Sequence, residues 1–447
     1  MSRIPLQYQS LKAVLPYMEA NIRIQISRRM PSIRDIENSF PLKINRLYFK
    51  GHELTINDTE YKLRIHRHYL SGNTPKCVER RKEGDTIDYD QFGFQLDNGA
   101  NVWLPGDVFF VNRRRDEIRH DADETEARWR RNLRICQNAL KLRAELKAKG
   151  QTPKDYLDNI PRNSDTLDRG VRKLIPFDDE YLKEEIENCL DKLMPFECRR
   201  NNTKPPFTCY FQLTITKRES VKVLRYECTK KFYKAIKHLS QVIFGGRPMP
   251  IFVEHFDIRY VFNVLRVPTG FRLRVKSLEI ISSEKHENVH QVLENFDAVW
   301  LSYYNLHDLA NANSFIHKSR KLVIEVPELE IYRMCHSIEE LQNQLICINS
   351  TAQEYTAQGY LRLLQHWSTE NRPIGSKLYI GTNKLVTADE VLQRVSSRYD
   401  KAPITERCVT VNIRESKKLE IFYEPFEEKH VRNLQAKWIM KMRIKEN

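Results

Sequence analysis

The chain has 447 residues, of which 40% are hydrophobic and 10% aromatic, with a formal net charge of +15. This composition excludes general disorder, and the length allows several cores, since ordinary domains hold about 100–150 residues. The opening MSRIPLQYQSLK has no signal-like apolar core, no run reaches membrane-span length, and nine cysteines make an odd set, so reduced thiols and a cytoplasmic and/or nuclear setting are expected.

Between Pro5 and Ile36, the apolar residues Leu11, Val14, Leu15, Met18 and Ile22 recur at steps of three and four, the spacing of one helical face. Pro16 and Pro31 interrupt it, because proline lacks an amide donor and crowds the preceding turn. A small helical unit over 1–40 is predicted. From Leu42 the period becomes two in LKINRLYFKG and HELTINDTEYKLRIHRHYL, with turn signals at Gly51 and at Asn57-Asp58. Tyr61, Leu63 and Ile65 should share the packed face with Tyr69 at its edge, leaving Lys62, Arg64, His66 and His68 on a polar face. DYDQFGFQLDNG and VWLPGDVFFVNRR continue a β-rich module predicted over 41–112.

Over 113–150, Trp129, Leu133, Cys136 and Leu140 mark the seam of a long charged amphipathic helix. Residues 151–176, with prolines and small polar residues, read as a linker loop. The last unit, 177–447, opens with a helix that places Asp178, Asp179 and Glu180 in its first turn, buries Ile186, Leu190 and Leu193, and stops at Pro195. FTCYFQLTI and VKVLRYE follow as paired strands, KKFYKAIKHLSQVIF as a helix closed by Gly245 and Gly246, and MPIFVEHFDI as a strand. Beyond it, short apolar strands recur at Leu278, Val299, Leu322, Leu345, Leu378 and Val409, in or just above the spacing of leucine-rich repeats. The expected class is α+β, ending in an α/β domain of irregular leucine-rich-like strand and helix repeats.

Chemistry-bearing patterns are sparse. His66 and His68 share a strand face, yet no third or fourth ligand stands nearby, and Cys198 and Cys209 are too far apart for a zinc knuckle. LPGDVFF and IFGGRP lack the strand, loop and lysine order that cradles phosphate. No nucleophile elbow or carboxylate pair with a matched histidine is present, so no catalytic residue, metal or cofactor is expected. Arg128, Arg130, Arg131 and Arg134 beside Trp129 form a candidate nucleic-acid surface, because arginines hold phosphates and aromatics stack on bases. Acidic residues from Asp121 to Glu126 and the seam position of Trp129 favour instead a packed or partner-binding helix.

The segments PLQYQSLKAVLPYMEANIRIQISRRMPSIRDIE, PLKI, YKLRIHRHYLSG, YDQFGF, LPGD, CRRNNTKPPFTC, VLRVPTGFRL and LQHWSTENRPIG are scattered over most of the chain. In combination they resemble a large nematode protein family with a divergent F-box-like N-terminus and an F-box-associated region. In an F-box, a leading proline and apolar pairs at helical spacing dock on a Skp-type adaptor of a cullin ubiquitin ligase. Pro5, Leu6, Leu11, Val14, Leu15 and Met18 fall on that pattern and are the adaptor contacts the resemblance implies. Pro31 and Ile33 stand where the motif commonly has tryptophan. The implied role is a tether that holds the ligase at one face and an unknown protein substrate at another, making ubiquitin transfer local. It requires no catalysis. The expectation is a non-catalytic interaction protein; the alternative is an RNA- or DNA-binding protein using the arginine-rich helix.

Overall fold

A computed structural model describes residues 8–70, 72, 74–80, 83–96, 99, 102–109, 122–158, 169–259, 264–281, 287–302, 316, 319–326, 341–350, 357–369, 372–399, 402–414, 416–426 and 436–447. The class is α+β. The chain opens with helices α1 (Tyr8–Val14), α2 (Ala20–Arg29) and α3 (Arg34–Asn38), broken by 3-10 turns at Leu15–Tyr17 and Pro31–Ile33 where the two prolines stand. Strands β1 (Lys43–Lys50), β2 (Glu53–Ile56) and β3 (Thr59–Tyr69) follow as an antiparallel meander. After the short α4 (Lys76–Glu79), the segment to β4 (Val108–Phe109) is largely irregular, joined to the sheet by isolated bridges such as Ile65 to Asp85. Among the described residues of that segment, the expected strands reduce to β4, because its polar groups are taken up in local turns, as where Asp90 Oδ1 accepts from the Phe92 and Phe94 amides.

Helix α5 (Ala122–Ala148) lies antiparallel to α8 (Asp179–Arg200), fixed at its two ends by Glu126 with Arg200 at 2.5 Å and Arg143 with Asp179 at 2.6 Å. Between them, the expected linker over 151–176 holds two short helices, α6 (Pro153–Asp158) and α7 (Arg169–Leu174). Val171 and Ile175 fold there because they pack with Ala139 and Leu182 in a separate small core. Pro195 does not end α8; the helix runs five residues on, because Phe196 and Cys198 are buried on its inner side. Its seam keeps Leu193 as expected but is otherwise rotated, with Leu182 and Cys189 buried, Ile186 half-buried and Leu190 exposed.

Strands β5 (Phe207–Lys217) and β6 (Ser220–Glu227) form a hairpin, and α9 (Phe232–Phe244) follows, capped where Asp88 accepts from the Phe232 amide at 2.9 Å. The remainder contains β7 (Ile251–Arg259), β8 (Val264–Leu265), β9 (Leu273–Ile281), β10 (Leu293–Ser302), β11 (Lys321–Val326), β12 (Leu345–Ser350), α10 (Ala357–Thr369), β13 (Lys377–Thr382) and α11 (Leu385–Arg398). It closes with β14 (Ile404–Thr405), β15 (Cys408–Arg414), β16 (Lys417–Pro425) and β17 (Trp438–Glu446).

Fifteen of these strands make one sheet in the order β14-β15-β16-β17-β13-β12-β11-β10-β9-β7-β1-β2-β3-β5-β6. Its middle, from β13 to β1, is parallel, and both flanks are antiparallel. The strand recurrence seen in the sequence is thus a run of neighbours: Leu278, Val299, Leu322, Ile346 and Leu378 are successive cross-strand partners. The row extends through Phe256, Leu47 and Ile56 on one side and Met442, Ile421 and Val409 on the other, all at 0% exposure. Each such side chain contributes roughly 1.5–3 kcal/mol by burial. Side chains from α2, α9, α10 and α11 join the same core, so helices cover this face.

One sequence boundary is redrawn by this pairing. The 41–112 module and the 177–447 unit are not separate sheets, because β1 pairs in parallel with β7 and β3 pairs with β5. The α5–α8 pair is fastened to the sheet where Arg67 meets Asp191 at 2.7 Å, both side chains being buried.

Candidate functional site

The face of the parallel strands opposite the helices is the place to look for a site. On β1, β7, β9 and β10 the inward-facing positions are Ile44 then Leu47, Val253 then Phe256, Val275 then Leu278, and Phe296 then Val299, a step of three where a regular strand steps by two. The register nevertheless stays constant from Ile44–Val253 to Arg46–His255 and from Val253–Val275 to His255–Ser277. Each strand therefore carries its extra residue at the same level, namely Asn45, Glu254, Lys276 and Asp297, and the distortion runs across the strands as a fold in the sheet. Bulges of this kind re-aim side chains without breaking the pairing on either side.

A groove of about 440 Å³ lies at this fold, lined by Lys43, Asn45, Phe252, Glu254, Arg274, Lys276, Asn295 and Asp297, with Ile44, Val253 and Val275 at its floor. Phe252 is its exposed aromatic, and the Arg274 guanidinium lies 5.5 Å from the ring centroid. Glu294 holds that guanidinium at 3.0 Å and also receives Arg272 at 2.8 Å. Glu254, Lys276 and Asp297 alternate in sign across adjacent strands and have no ion-pair partner among the described residues.

Toward the carboxyl ends of the same strands sits a polar cluster. Arg46 donates to Asp257 Oδ2 at 2.8 Å, Arg259 stands 3.5 Å from the same oxygen, and Arg259 reaches Glu279 at 3.1 Å. Both guanidinium groups flank the Tyr48 ring, at 5.8 and 5.4 Å from its centroid. Burial pushes the Tyr48 hydroxyl above its ordinary pKa, against the pull of Arg259. Asp257 is buried, and its Oδ1 accepts no hydrogen bond among the described residues. The row continues through Trp300, Val323, Cys347 and Tyr379, where Val323 and Cys347 are buried in a second small cluster. At the far end, Lys441 lies over Tyr379 and pairs with Glu424, while Arg443 lies over Phe422 and pairs with Glu420. Cations stacked on aromatics and already matched by carboxylates suit a protein surface better than a polyanion.

The residues singled out in the sequence lie elsewhere. Pro5 and Leu6 fall outside the described residues. Leu11 and Leu15 are buried with Ile33 in a core of their own, and Met18 packs against it. Of the six, Val14 is exposed at 41%, beside Tyr17 at 88%. The unit is bonded to the sheet: Asn21 Nδ2 donates to the Ile56 carbonyl, the Tyr61 hydroxyl donates to Asn21 Oδ1, and buried Glu37 pairs with Arg23 and Arg247. Arg128, Arg130, Arg131 and Arg134 are exposed along α5, Arg130 paired with Glu126 and Arg128 stacked at 5.4 Å on Trp129. The histidines of β3 separate: His66 stacks on Tyr210 at 5.6 Å, with its pKa lowered by burial, and His68 is exposed. Among the described residues, no three His, Cys, Asp or Glu side chains gather as a metal site.

Two of the scattered sequence segments meet in space. Asp107 of LPGD is buried against Arg266 of VLRVPTG and Lys237 of α9, and Arg266 also donates to the Val102 carbonyl. Gly106, at φ +90°, lies so close to Thr269 and Pro268 that a Cβ would stand 2.5 Å from the Thr269 nitrogen. These segments hold the fold. The groove left no comparable mark in the sequence, because its charged positions only become neighbours once the strands align.

Residues 231–384 match the family model of a domain of unknown function, DUF3557. The match starts at the residue before α9 and ends at the residue before α11, so it takes in the strands β7 to β13. No curated protein and no solved structure matches the chain.

Proposed function

We propose that this is a non-catalytic protein-interaction protein that grips a protein partner in the groove across its strands β1, β7, β9 and β10. The observation that carries it is this groove and its neighbourhood, where Arg274 lies over Phe252 and Arg46 and Arg259 flank Tyr48, each guanidinium paired with a carboxylate. Such a surface offers both charge signs and stacking area, which selects polypeptide over phosphate. With the N-terminal resemblance, the role becomes that of a divergent F-box substrate adaptor working in the cytoplasm or nucleus, with α1 to α3 toward a Skp-type adaptor. Among the described residues, no helix is long and apolar enough to cross a membrane. A second reading, nucleic-acid binding along α5, rests on Arg131 and Arg134, which are exposed and have no carboxylate partner among the described residues.

One experiment separates these. A photo-crosslinking amino acid is placed at Phe252 or at Arg134 in cells, and adducts are sorted into protein and nucleic acid. Protein adducts at position 252 that disappear with Arg274→Glu are expected, together with co-purification of a Skp-type adaptor. Nucleic-acid adducts at 134 with none at 252 would replace the first reading by the second, and failure to associate with the adaptor would remove the ligase role.

A further inference from the structure

The β5–β6 hairpin ends the great sheet. β6 pairs with β5 over its whole length, from Ser220–Lys217 to Glu227–Tyr210, and no described strand lies beyond it. Alternate N–H and C=O groups of β6 therefore point away from the sheet, an array on which another extended chain can pair. Edges are usually blunted by shortness, proline or inward charge. The opposite edge obeys this rule, since β14 has two residues; β6 has eight and no proline.

The side chains of β6 are open on both faces. Val221 and Val223, 60% and 46% exposed, lie on one face opposite Thr216 and Thr214, and Tyr226, 48% exposed, lies on the other opposite Phe211. Charge then selects the occupant. Residues 207–231 contain six lysines and arginines against Glu219 and Glu227. Lys217 and Arg218 stand 3.7 and 3.6 Å from Asp58, whereas Lys222, Arg225 and Lys230 have no carboxylate partner among the described residues. A second copy is disfavoured as the partner. Antiparallel overlap of all eight residues would set Lys222 directly against Arg225, and like charges across a strand pair repel.

We propose that β6 is a strand-addition site for an extended acidic segment of a partner protein. Its carboxylates would lie opposite Lys222 and Arg225, with β-branched residues beside Val221, Val223 and Tyr226. Backbone bonds supply the affinity in this mode and alternate side chains supply the choice of sequence. The site stands four strands beyond β1 in the sheet order, so it is independent of the groove reading.

The test titrates the full-length protein with an acetylated, fluorescein-labelled octapeptide Thr-Val-Glu-Val-Val-Glu-Val-Thr, whose glutamates stand three apart and so on opposite faces as Lys222 and Arg225 do, and with its valine–lysine counterpart, read by anisotropy and by amide exchange of residues 220–227. Saturable binding with slowed exchange at β6 is expected, weakened about tenfold by Lys222→Glu with Arg225→Glu and absent for the valine–lysine peptide. Val223→Pro and Leu224→Pro form a matched pair, because successive amides point to opposite sides of a strand. The proline that leaves the melting temperature unchanged should abolish binding. No saturable binding, binding indifferent to charge reversal, or slowed exchange at the groove instead of β6 would each overturn the proposal. Should charge reversal unfold the hairpin, the lysine peptide and the proline pair still decide.

Discussion

His52 shows how one side chain reports on its surroundings. It stands edge-on to Phe232 at 5.2 Å, and burial, helped by the Arg64 and Arg266 charges, lowers its pKa from 6.5 to about 4. In the unfolded chain it takes up a proton near pH 6.5; in the fold it stays neutral down to about pH 4. The unfolded state therefore binds more protons within that window, and the stability tied to His52 is lost as pH falls through it. Urea midpoints measured at pH 7 and pH 5 should drop further in the native protein than in His52→Phe. Equal drops would show that the ring is not held neutral. Nothing in GHEL announces this, since the pKa depends on Phe232 and Arg266, both about two hundred residues away. The β3 strand is the contrasting case: Tyr61, Leu63 and Ile65 are buried as the alternation requires, and Arg67, at the next inward position, is tolerated there because Asp191 of α8 pairs with it.

Elements differ in how much of themselves they carry. α9 carries its own face and its own stop, with Phe232, Ala235, Ile236, Ile243 and Phe244 at helical spacing and Gly246 at φ +79° beyond its end, and only its capping acid, Asp88, comes from a distant segment. α8 is not. Its seam was placed rightly at Leu193 and wrongly at Leu190, because Ile186, Leu190 and Leu193 keep helical spacing as well as Leu182, Cys189 and Leu193 do, and only docking onto α5 chooses between the two stripes. The N-terminal unit gives a direct test of such a choice. Leu15 lies at 0% exposure, so Leu15→Asp should unfold α1 to α3 and lower the melting temperature of the whole chain. Tyr17→Asp, at 88% exposure, should leave the melting temperature within about a degree and, if the unit docks a Skp-type adaptor, remove that association alone. A melting temperature that Leu15→Asp leaves unchanged would contradict the buried core.

At the scale of the molecule, β1 to β3 sit inside the sheet, between β7 and β5, although they precede those strands by more than a hundred residues. A fragment of residues 177–447 would leave β7 and β5 as two bare edges, so it should aggregate or unfold without cooperativity, and co-expression with residues 1–112 should rescue it. A soluble 177–447 fragment melting cooperatively like the full chain would refute that integration. Alternation, helical spacing and the near-regular recurrence of apolar strands, all local properties, were determined by the sequence itself: they placed β1 to β3, α9 and β9 to β13 and called for an α+β class. Pairing between distant strands was decided only by the tertiary structure, because any apolar strand satisfies any other by composition alone. That pairing merges the two predicted modules, brings Asp107 to Arg266, and lines up Asn45, Glu254, Lys276 and Asp297 into a groove that no stretch of the chain contains.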